Sequence, residues 1–344
     1  MHLSDFDYEL PEELIAQYPL AERDASRMLV LDRRTGLSRD STFRDFFHEL
    51  QPKDVVVVNN SRVIPARLYG QRKETGGRVE IFLVRELETG VWEALVRPSA
   101  RLQSGARVVF ANGELEAELL DKPGSDLRQV KFEFKGSFEK LLSEIGSTPL
   151  PPYIKRPQGV SLADDERYQT VYSKTRGAIA APTAGLHFTA EMLSQLRERN
   201  QLIEITLHVG YGTFEPVRVE DVSEHLVSSE RFEIPPEAAR QLNEARSRGG
   251  RVVAVGTTTT RALESASHGS HEVLGGSAEA CLTIKPGYRF RIVDALLTNF
   301  HLPRSSLLIL VSAFAGREVV LQAYRHAVDR RYRFYSYGDC MLIL

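Results

Sequence analysis

Along most of the chain, apolar positions alternate between the spacing of helices and that of buried strands. Residues 54–58 (DVVVV), 202–209 (LIEITLHV), 251–255 (RVVAV) and 293–300 (VDALLTNF) are short β-rich apolar runs. Runs of this kind predict strands covered on both faces. Between and after them, AEMLSQLRER, EAARQLNEARSR, TRALESA, SSLLILVSAFA and VVLQAYRHAVDRR read as helices. Thr189 supplies a cap, Pro235 and Pro236 a start, and Gly249-Gly250 a stop. Gly256 and four threonines lead into TRALESA, and the chain ends in the apolar CMLIL. Such alternation predicts a largely parallel sheet with helices on both faces, a layered α/β/α domain.

Residues 1–67 are mixed. They suggest a short helix PEELIAQY between Pro11 and Pro19, a hairpin RMLVLD/LSRDSTF about an Arg-Thr-Gly turn, and an amphipathic FRDFFHEL. From about 68 to 134 the pattern becomes purely β. RVEIFLVREL, VWEALVRP, ARVVFA, ELEAELLD and QVKFEF are separated by Gly, Asn and Pro turns at close intervals. That spacing predicts a small closed or nearly closed β-barrel. Residues 138–145 read as a helix and STPLPPYIKRP as a proline-stiffened connector. The expected organisation is a discontinuous α/β main domain, 1–67 plus 149–344, carrying an inserted barrel at 68–148.

A chain of 344 residues suits two domains. With 44 Lys and Arg against 46 Asp and Glu, the net charge of −2 excludes a protein that coats nucleic acid by bulk charge. A local basic patch remains open, because phosphate contact depends on distribution. Cys281 and Cys340 build no disulfide framework and have no metal-ligand spacing, which suits a reducing compartment. The acidic N-terminal stretch does not read as a signal peptide, and the apolar run 307–315 is too short to span a bilayer. A cytoplasmic protein with no membrane partner is expected.

The densest chemical signal lies in residues 178–217. His187 and His208 sit there in turns shaped by Pro182, Gly185, Gly210 and Gly212, beside Thr183, Thr189 and Thr213. Ligands of open α/β sheets bind beyond the carboxyl ends of the strands. Polar clusters follow four predicted strands: NNSR (with Arg62, and Arg67 later), GYGTF, GTTTTR (Thr257, Thr258, Arg261) and NFHLP (Asn299, His301). Their convergence predicts one small-molecule site, with Thr257, Thr258 and Arg261 holding an anionic end. His187, His208, His225 and His301 lack metal-ligand spacing, so no metal is expected. GxSxG, GxGxxG and GxxxxGK[ST] are absent. Basic residues group at Arg97 and Arg101, at Lys155 and Arg156, and at Arg325, Arg330, Arg331 and Arg333. In RRYRFYSYGD they interleave with Tyr332, Phe334, Tyr335 and Tyr337. This spacing fits RNA stacking and phosphate contact, and equally a solvated helix end above core aromatics.

The strings DFDYELPEELIAQYP, VVNNSRVIPARLYG, LPPYIKR, AAPTAGLHFT, TLHVGYGTFEPV, VAVGTTTTRALES, DALLTNFHLPRSSLLILVSAFAG and YRFYSYGDCML run nearly end to end. In them the chain resembles the S-adenosylmethionine:tRNA ribosyltransferase-isomerase family of queuosine biosynthesis. The resemblance implies an α/β domain with an inserted barrel. It also implies transfer and isomerisation of the ribosyl part of S-adenosylmethionine onto 7-aminomethyl-7-deazaguanine (preQ1) at the wobble position of tRNA. Adenine and methionine leave, and S-adenosylmethionine is a consumed substrate, with no further cofactor or metal. Removal of the C5′ proton beside the sulfonium needs a base in a dry pocket. His187, His208, His301 and Asp339 are the choices, with His187 favoured for its rigidly shaped loop. The expected substrate contacts are Arg62, Arg67, Thr183, Gly185, Gly210, Thr213, Thr257, Thr258, Arg261, Asn299 and Tyr337. The expected tRNA contacts are Arg97, Arg101, Lys155, Arg156, Arg330, Arg331 and Arg333, and a monomer is expected. Two places depart from the family pattern: Ser228 replaces a histidine of its H-x-M-H-x-E string, and SAEACLTIKPGY lacks its usual Trp-Thr and Phe-Ile. The alternative is a catalytically degenerate tRNA-anticodon binder of the same fold.

Overall fold

A computed structural model describes residues 1–99, 102–120, 127–157, 159–199, 201–214 and 216–344, and of Asn112, Thr213 and Phe214 the backbone only. Strands β1 (Arg27–Leu31) and β2 (Ser38–Thr42) form the expected hairpin, followed by β3 (Val55–Asn59) and the short β4 (Ser61–Val63). Next come β5 (Arg67–Arg72), β6 (Arg78–Glu88), β7 (Val91–Arg97), β8 (Arg107–Phe110), β9 (Leu115–Leu120) and β10 (Arg128–Phe134). These six close into an antiparallel barrel in the order β10-β7-β6-β5-β8-β9. After α1 (Phe138–Ile145), α2 (Leu162–Arg167) and β11 (Thr175–Ala178), helices and strands alternate. They are α3 (Ala190–Glu198), β12 (Leu202–Leu207), β13 (Glu230–Ile234), α4 (Pro236–Ser247), β14 (Val252–Val255), α5 (Thr257–Ala266), β15 (Gly276–Ala280), β16 (Ala295–Asn299), α6 (Ser306–Ala315), α7 (Arg317–Asp329) and β17 (Cys340–Ile343).

The main sheet has nine strands in the order β15-β13-β12-β3-β14-β16-β17-β1-β2. Its centre, β12-β3-β14-β16, is parallel, as the apolar runs predicted. Antiparallel pairs flank that centre, since β17 returns against β16 and β13 against β12. The DVVVV run shows why such strands carry no alternation. Val55 and Val57 enter the core made with α4, α5, α6 and α7. Val56 and Val58 enter the opposite core with Phe43, Phe46, Phe188 and α3. The barrel keeps a separate core around Leu68, Ile81, Leu83, Trp92, Leu115 and Phe132.

Two local expectations are corrected. PEELIAQY is only a 3-10 turn, Glu12–Leu14. From Ile15 the chain instead pairs with Phe334, Ala16 N donating to its carbonyl, so tertiary pairing overrides helix propensity. Helix α5 begins at Thr257, so the threonines form its first turn rather than a leader to it.

The starts of β3 and β14 are tied by Asp54, which is fully buried. Its carboxylate accepts from Gln51 N, from Arg251 N and from the Arg251 guanidinium, Nη2 at 2.6 Å. Asp54→Ala would strand a partly buried guanidinium and two amides, so the variant should lose about 2–4 kcal/mol of unfolding free energy. Urea denaturation reads this as a lowered midpoint at unchanged slope.

Candidate active site

Because β12, β3, β14 and β16 run the same way, their carboxyl ends open on one side of the sheet. A cavity of about 520 Å³ lies there. Its wall takes Val209 from beyond β12, Gly256, Thr257 and Thr258 from beyond β14, and Thr298, Asn299 and His301 from the end of β16. Thr183 and Ala184 come from the 3-10 turn Thr183–His187, and Tyr335 and Ser336 from the loop that enters β17. Gly256 has φ +92°, a left-handed conformation that lets the chain turn from β14 straight into α5. The hydroxyls of Thr259 and Thr260 bond back to the carbonyls of Val255 and Gly256. That leaves Thr257 and Thr258 at the cavity wall, where the helix N-terminus favours negative charge.

His301 is 7% exposed and is fixed through its backbone. Its amide donates to the Tyr324 hydroxyl at 3.1 Å, and its carbonyl accepts from the Tyr8 hydroxyl. In its ring, Nε2 meets Thr298 Oγ1 at 2.8 Å, and Thr298 Oγ1 also lies 3.3 Å from the Asn299 carbonyl. Both bonds are made together only if Nε2–H donates to the hydroxyl and the hydroxyl donates to the carbonyl. Nδ1 then carries the lone pair, and it makes no hydrogen bond with the described residues. Burial lowers the pKa of this ring to about 3, so it is neutral at physiological pH.

The other proposed bases sit elsewhere. His187 is 3% exposed, and both its nitrogens are engaged, Nδ1 with Ser26 Oγ at 2.8 Å and Nε2 with the Asn299 amide at 3.3 Å. Ser26 donates to the Arg23 carbonyl, so its oxygen accepts from His187 Nδ1–H and Nε2 accepts from Asn299. Burial, then Arg23 and Arg333, lowers its pKa to about 3. It faces a small recess with Arg23, Arg167 and Tyr337, not the main cavity. His208 packs against Gly177 with Nδ1 buried. The Asp339 carboxylate accepts from Arg27 N, Arg333 N and the Arg27 guanidinium, and so serves as a loop anchor.

Of the expected substrate contacts, Thr183, Thr257, Thr258 and Asn299 come together around the cavity. Arg261 does not. Its guanidinium is used by a buried pair with Glu230 and by the carbonyls of Ser228, Ala280 and Leu282, which clamp α5 to the antiparallel β13–β15 pair. Gly185 is a close-approach position, since a Cβ there would lie 1.9 Å from the Tyr172 hydroxyl. Gly210 N donates to Glu230, and Tyr337 packs on Tyr168 beside the His187 recess. Asn59 accepts from Leu207 N and Ser61 N, and Arg62 lies exposed near Ser173, so the NNSR cluster shapes the sheet end instead of lining the cavity. The Thr213 side chain and Arg101 lie outside the described residues. Arg67, Arg97, Lys155 and Arg156 line a second cleft. Arg330 and Arg331 are exposed after α7, whereas Arg333 N and its guanidinium hold the loop. Tyr332 and Phe334 are core residues, which favours the plainer reading of that aromatic run.

Sequence reasoning picked out Tyr335 in its aromatic run but missed its partner in an aromatic wall, Tyr153. Tyr153, from the proline-rich connector, lies with its ring centroid 4.0 Å from that of Tyr335, and its hydroxyl meets Ser336 Oγ at 2.6 Å. No local period marks Tyr153, because the pairing joins segments 182 positions apart.

The fold and cavity define a layered α/β protein with a cavity of small-molecule size at the carboxyl ends of its central strands. Over residues 3–343 the chain matches the sequence profile of the family described as queuosine biosynthesis protein, and it belongs to that family. It is 54% identical to the S-adenosylmethionine:tRNA ribosyltransferase-isomerase of Citrifermentans bemidjiense and 49% identical to that of Desulforamulus reducens, each over the full length of both chains. The crystal structure of S-adenosylmethionine tRNA ribosyltransferase from Thermotoga maritima is similar over 99% of this chain and 100% of its own, at 40% identity and a TM-score of 0.56. Among the described residues no single helix is long and apolar enough to cross a membrane.

His187 and His301 set an acid limit. Each titrates near 6.5 when unfolded and near 3 when folded. Between those values the unfolded chain binds more protons, so stability falls as pH drops through that window. His187→Gln and His301→Gln should each flatten the slope of unfolding free energy against pH there, by up to about 1.4 kcal/mol per pH unit. Urea titrations at stepped pH read the difference, and parallel wild-type and variant slopes would contradict the buried, neutral assignment.

Proposed function

We propose that this chain transfers and isomerises the ribosyl part of S-adenosylmethionine onto preQ1 at the wobble position of tRNA. The products are epoxyqueuosine-tRNA, adenine and methionine, and the protein acts in the cytoplasm. The full-length likeness to ribosyltransferase-isomerases carries this reading. The chemistry draws on groups that already line one cavity.

His301 Nδ1 takes the C5′ proton. Burial makes protonation of this ring from bulk water unfavourable, because a charge must be created in a dry site. Proton transfer from a bound sulfonium differs. The sulfonium becomes a net-neutral ylide as the imidazole becomes imidazolium, so positive charge is moved and not created. The imidazolium is then an acid in the same cavity for the departing purine. Thr257, Thr258 and the first-turn amides of α5 hold the methionine carboxylate. Tyr153 and Tyr335 offer faces to a planar base. His187 positions Asn299 and does no proton transfer. Ser228 lines a small side pocket with Gly212 and Arg261, which adjoins the main cavity at Ser306 and Leu307, but Ser228 itself is not in the main cavity wall, so its replacement of a histidine removes none of these groups and favours the enzyme over a degenerate binder.

Purified protein should release adenine from S-adenosylmethionine only when tRNA bearing preQ1 is present; methyl transfer without adenine release would overturn the reading. His301→Gln should keep S-adenosylmethionine binding and lower solvent exchange of the C5′ proton by about 100-fold or more. Exchange at the wild-type rate would move the base to another residue.

A further inference from the structure

We propose that the cleft between the barrel and the α/β layer is a second RNA subsite, which seats an unstacked nucleotide adjacent to the one being modified. The proposal rests on tRNA being the substrate. The cleft has a volume of about 560 Å³, comparable with the main cavity. Barrel strands β5, β6 and β7 form one side through Arg67, Tyr69, Phe82 and Arg97, and Tyr211 comes from beyond β12. The connector forms the other side, through residues 147–152 and 154–156. Pro152 lines both the cleft and the main cavity, and Tyr153 next to it lines the main cavity. A strand whose target base enters the cavity therefore carries its neighbour across this connector and into the cleft.

The lining chemistry suits a nucleotide. Four cationic side chains, Arg67, Arg97, Lys155 and Arg156, surround a single anionic one, Glu80, in a chain whose net charge is −2. They are not equivalent. Arg156 is held by Asp164 at 2.7 Å with both side chains nearly buried, and Arg67 pairs with Glu80 at 3.4 Å, so these two are wall. Arg97 is exposed at the end of β7, and its side chain makes no hydrogen bond or ion pair with the described residues. Lys155 meets Glu12 at 2.5 Å, but those side chains are 68% and 77% exposed, and such surface pairs contribute little and yield readily to a phosphate. Arg97 and Lys155 are therefore the phosphate contacts. Tyr69 is 44% exposed, and Tyr211 stands edge-on to Phe82 at 6.0 Å, which supplies aromatic surface for a base. A cation pair beside aromatic faces reads RNA by stacking and backbone charge, without base-edge selection.

The test measures binding of an anticodon stem-loop by fluorescence anisotropy. Arg97→Ala combined with Lys155→Ala should weaken binding about tenfold or more and reduce the log–log salt slope by about 1.4, the value for two single-strand phosphate contacts. An abasic residue beside the wobble position should cost the wild type about 5-fold or more, and Tyr69→Ala should remove that penalty. S-adenosylmethionine affinity measured without RNA should stay at the wild-type value. The proposal falls if abasic neighbours on either side leave wild-type binding unchanged, or if the paired substitution leaves the salt slope unchanged. It also falls if the variants lose S-adenosylmethionine affinity, which would make the cleft part of the small-molecule cavity. A protein that binds the stem-loop in this pattern yet releases no adenine would sink the enzymatic reading alone. One that releases adenine while indifferent to these substitutions would sink the subsite alone.

Discussion

Asn299 ends β16 with an amide whose nitrogen faces three acceptors of the chain. Nδ2 lies 3.1 Å from the Tyr335 carbonyl, 3.5 Å from the Asp339 carbonyl and 3.3 Å from His187 Nε2. Carbonyl oxygens accept only from N–H, so this environment fixes which way the amide faces. One side chain thereby joins a strand end, the loop into β17 and the turn that carries Thr183. The loop needs that support, since Tyr335 has φ +71°, a conformation that costs a non-glycine residue about 1–3 kcal/mol. Tyr335 N donating to the Phe300 carbonyl and Asp339 accepting from Arg27 and Arg333 supply the rest. A cavity wall held from so many directions is set before any ligand arrives, which is where precise chemistry gains most.

The fold was legible wherever burial imposes a period. Valines at 55–58 feed two cores at once, and only a strand central to a layered sheet needs apolar side chains on both faces. The barrel showed as five β-rich runs, while its sixth strand, β5, was harder to see. RLYGQR alternates burial but spends polar residues on its outer face, and Gly70 makes room for Phe110, whose ring would lie 2.6 Å from an added Cβ. PEELIAQY misled because the partner that straightens it, Phe334, is remote in sequence.

The site was legible as a place and only partly as a set of roles. Strand ends pointed to Thr257, Thr258, Asn299 and His301, which share the cavity. Roles depend on partners that no local pattern reveals. His187 and His301 are both buried neutral imidazoles, yet one spends both nitrogens on Ser26 and Asn299, while the other spends one on Thr298. Arg261 reads from sequence as an anion ligand beside a helix start, until Glu230 is found against it in the fold. Charge near a site is informative only after its internal partners have been subtracted.

The connector from Thr148 to Arg156 has one further consequence. It is a single proline-stiffened strap with the small-molecule cavity on one side and the barrel cleft on the other. A strap of this kind is a mechanical partition: whatever presses on one side alters the surface met by an occupant of the other. If one occupant shifts it, the two equilibria are linked, and each occupant changes the affinity of the other by the same factor. The stiffness of LPPYIKRP then sets the size of that factor, so a segment that touches neither reacting atom governs cooperativity between them.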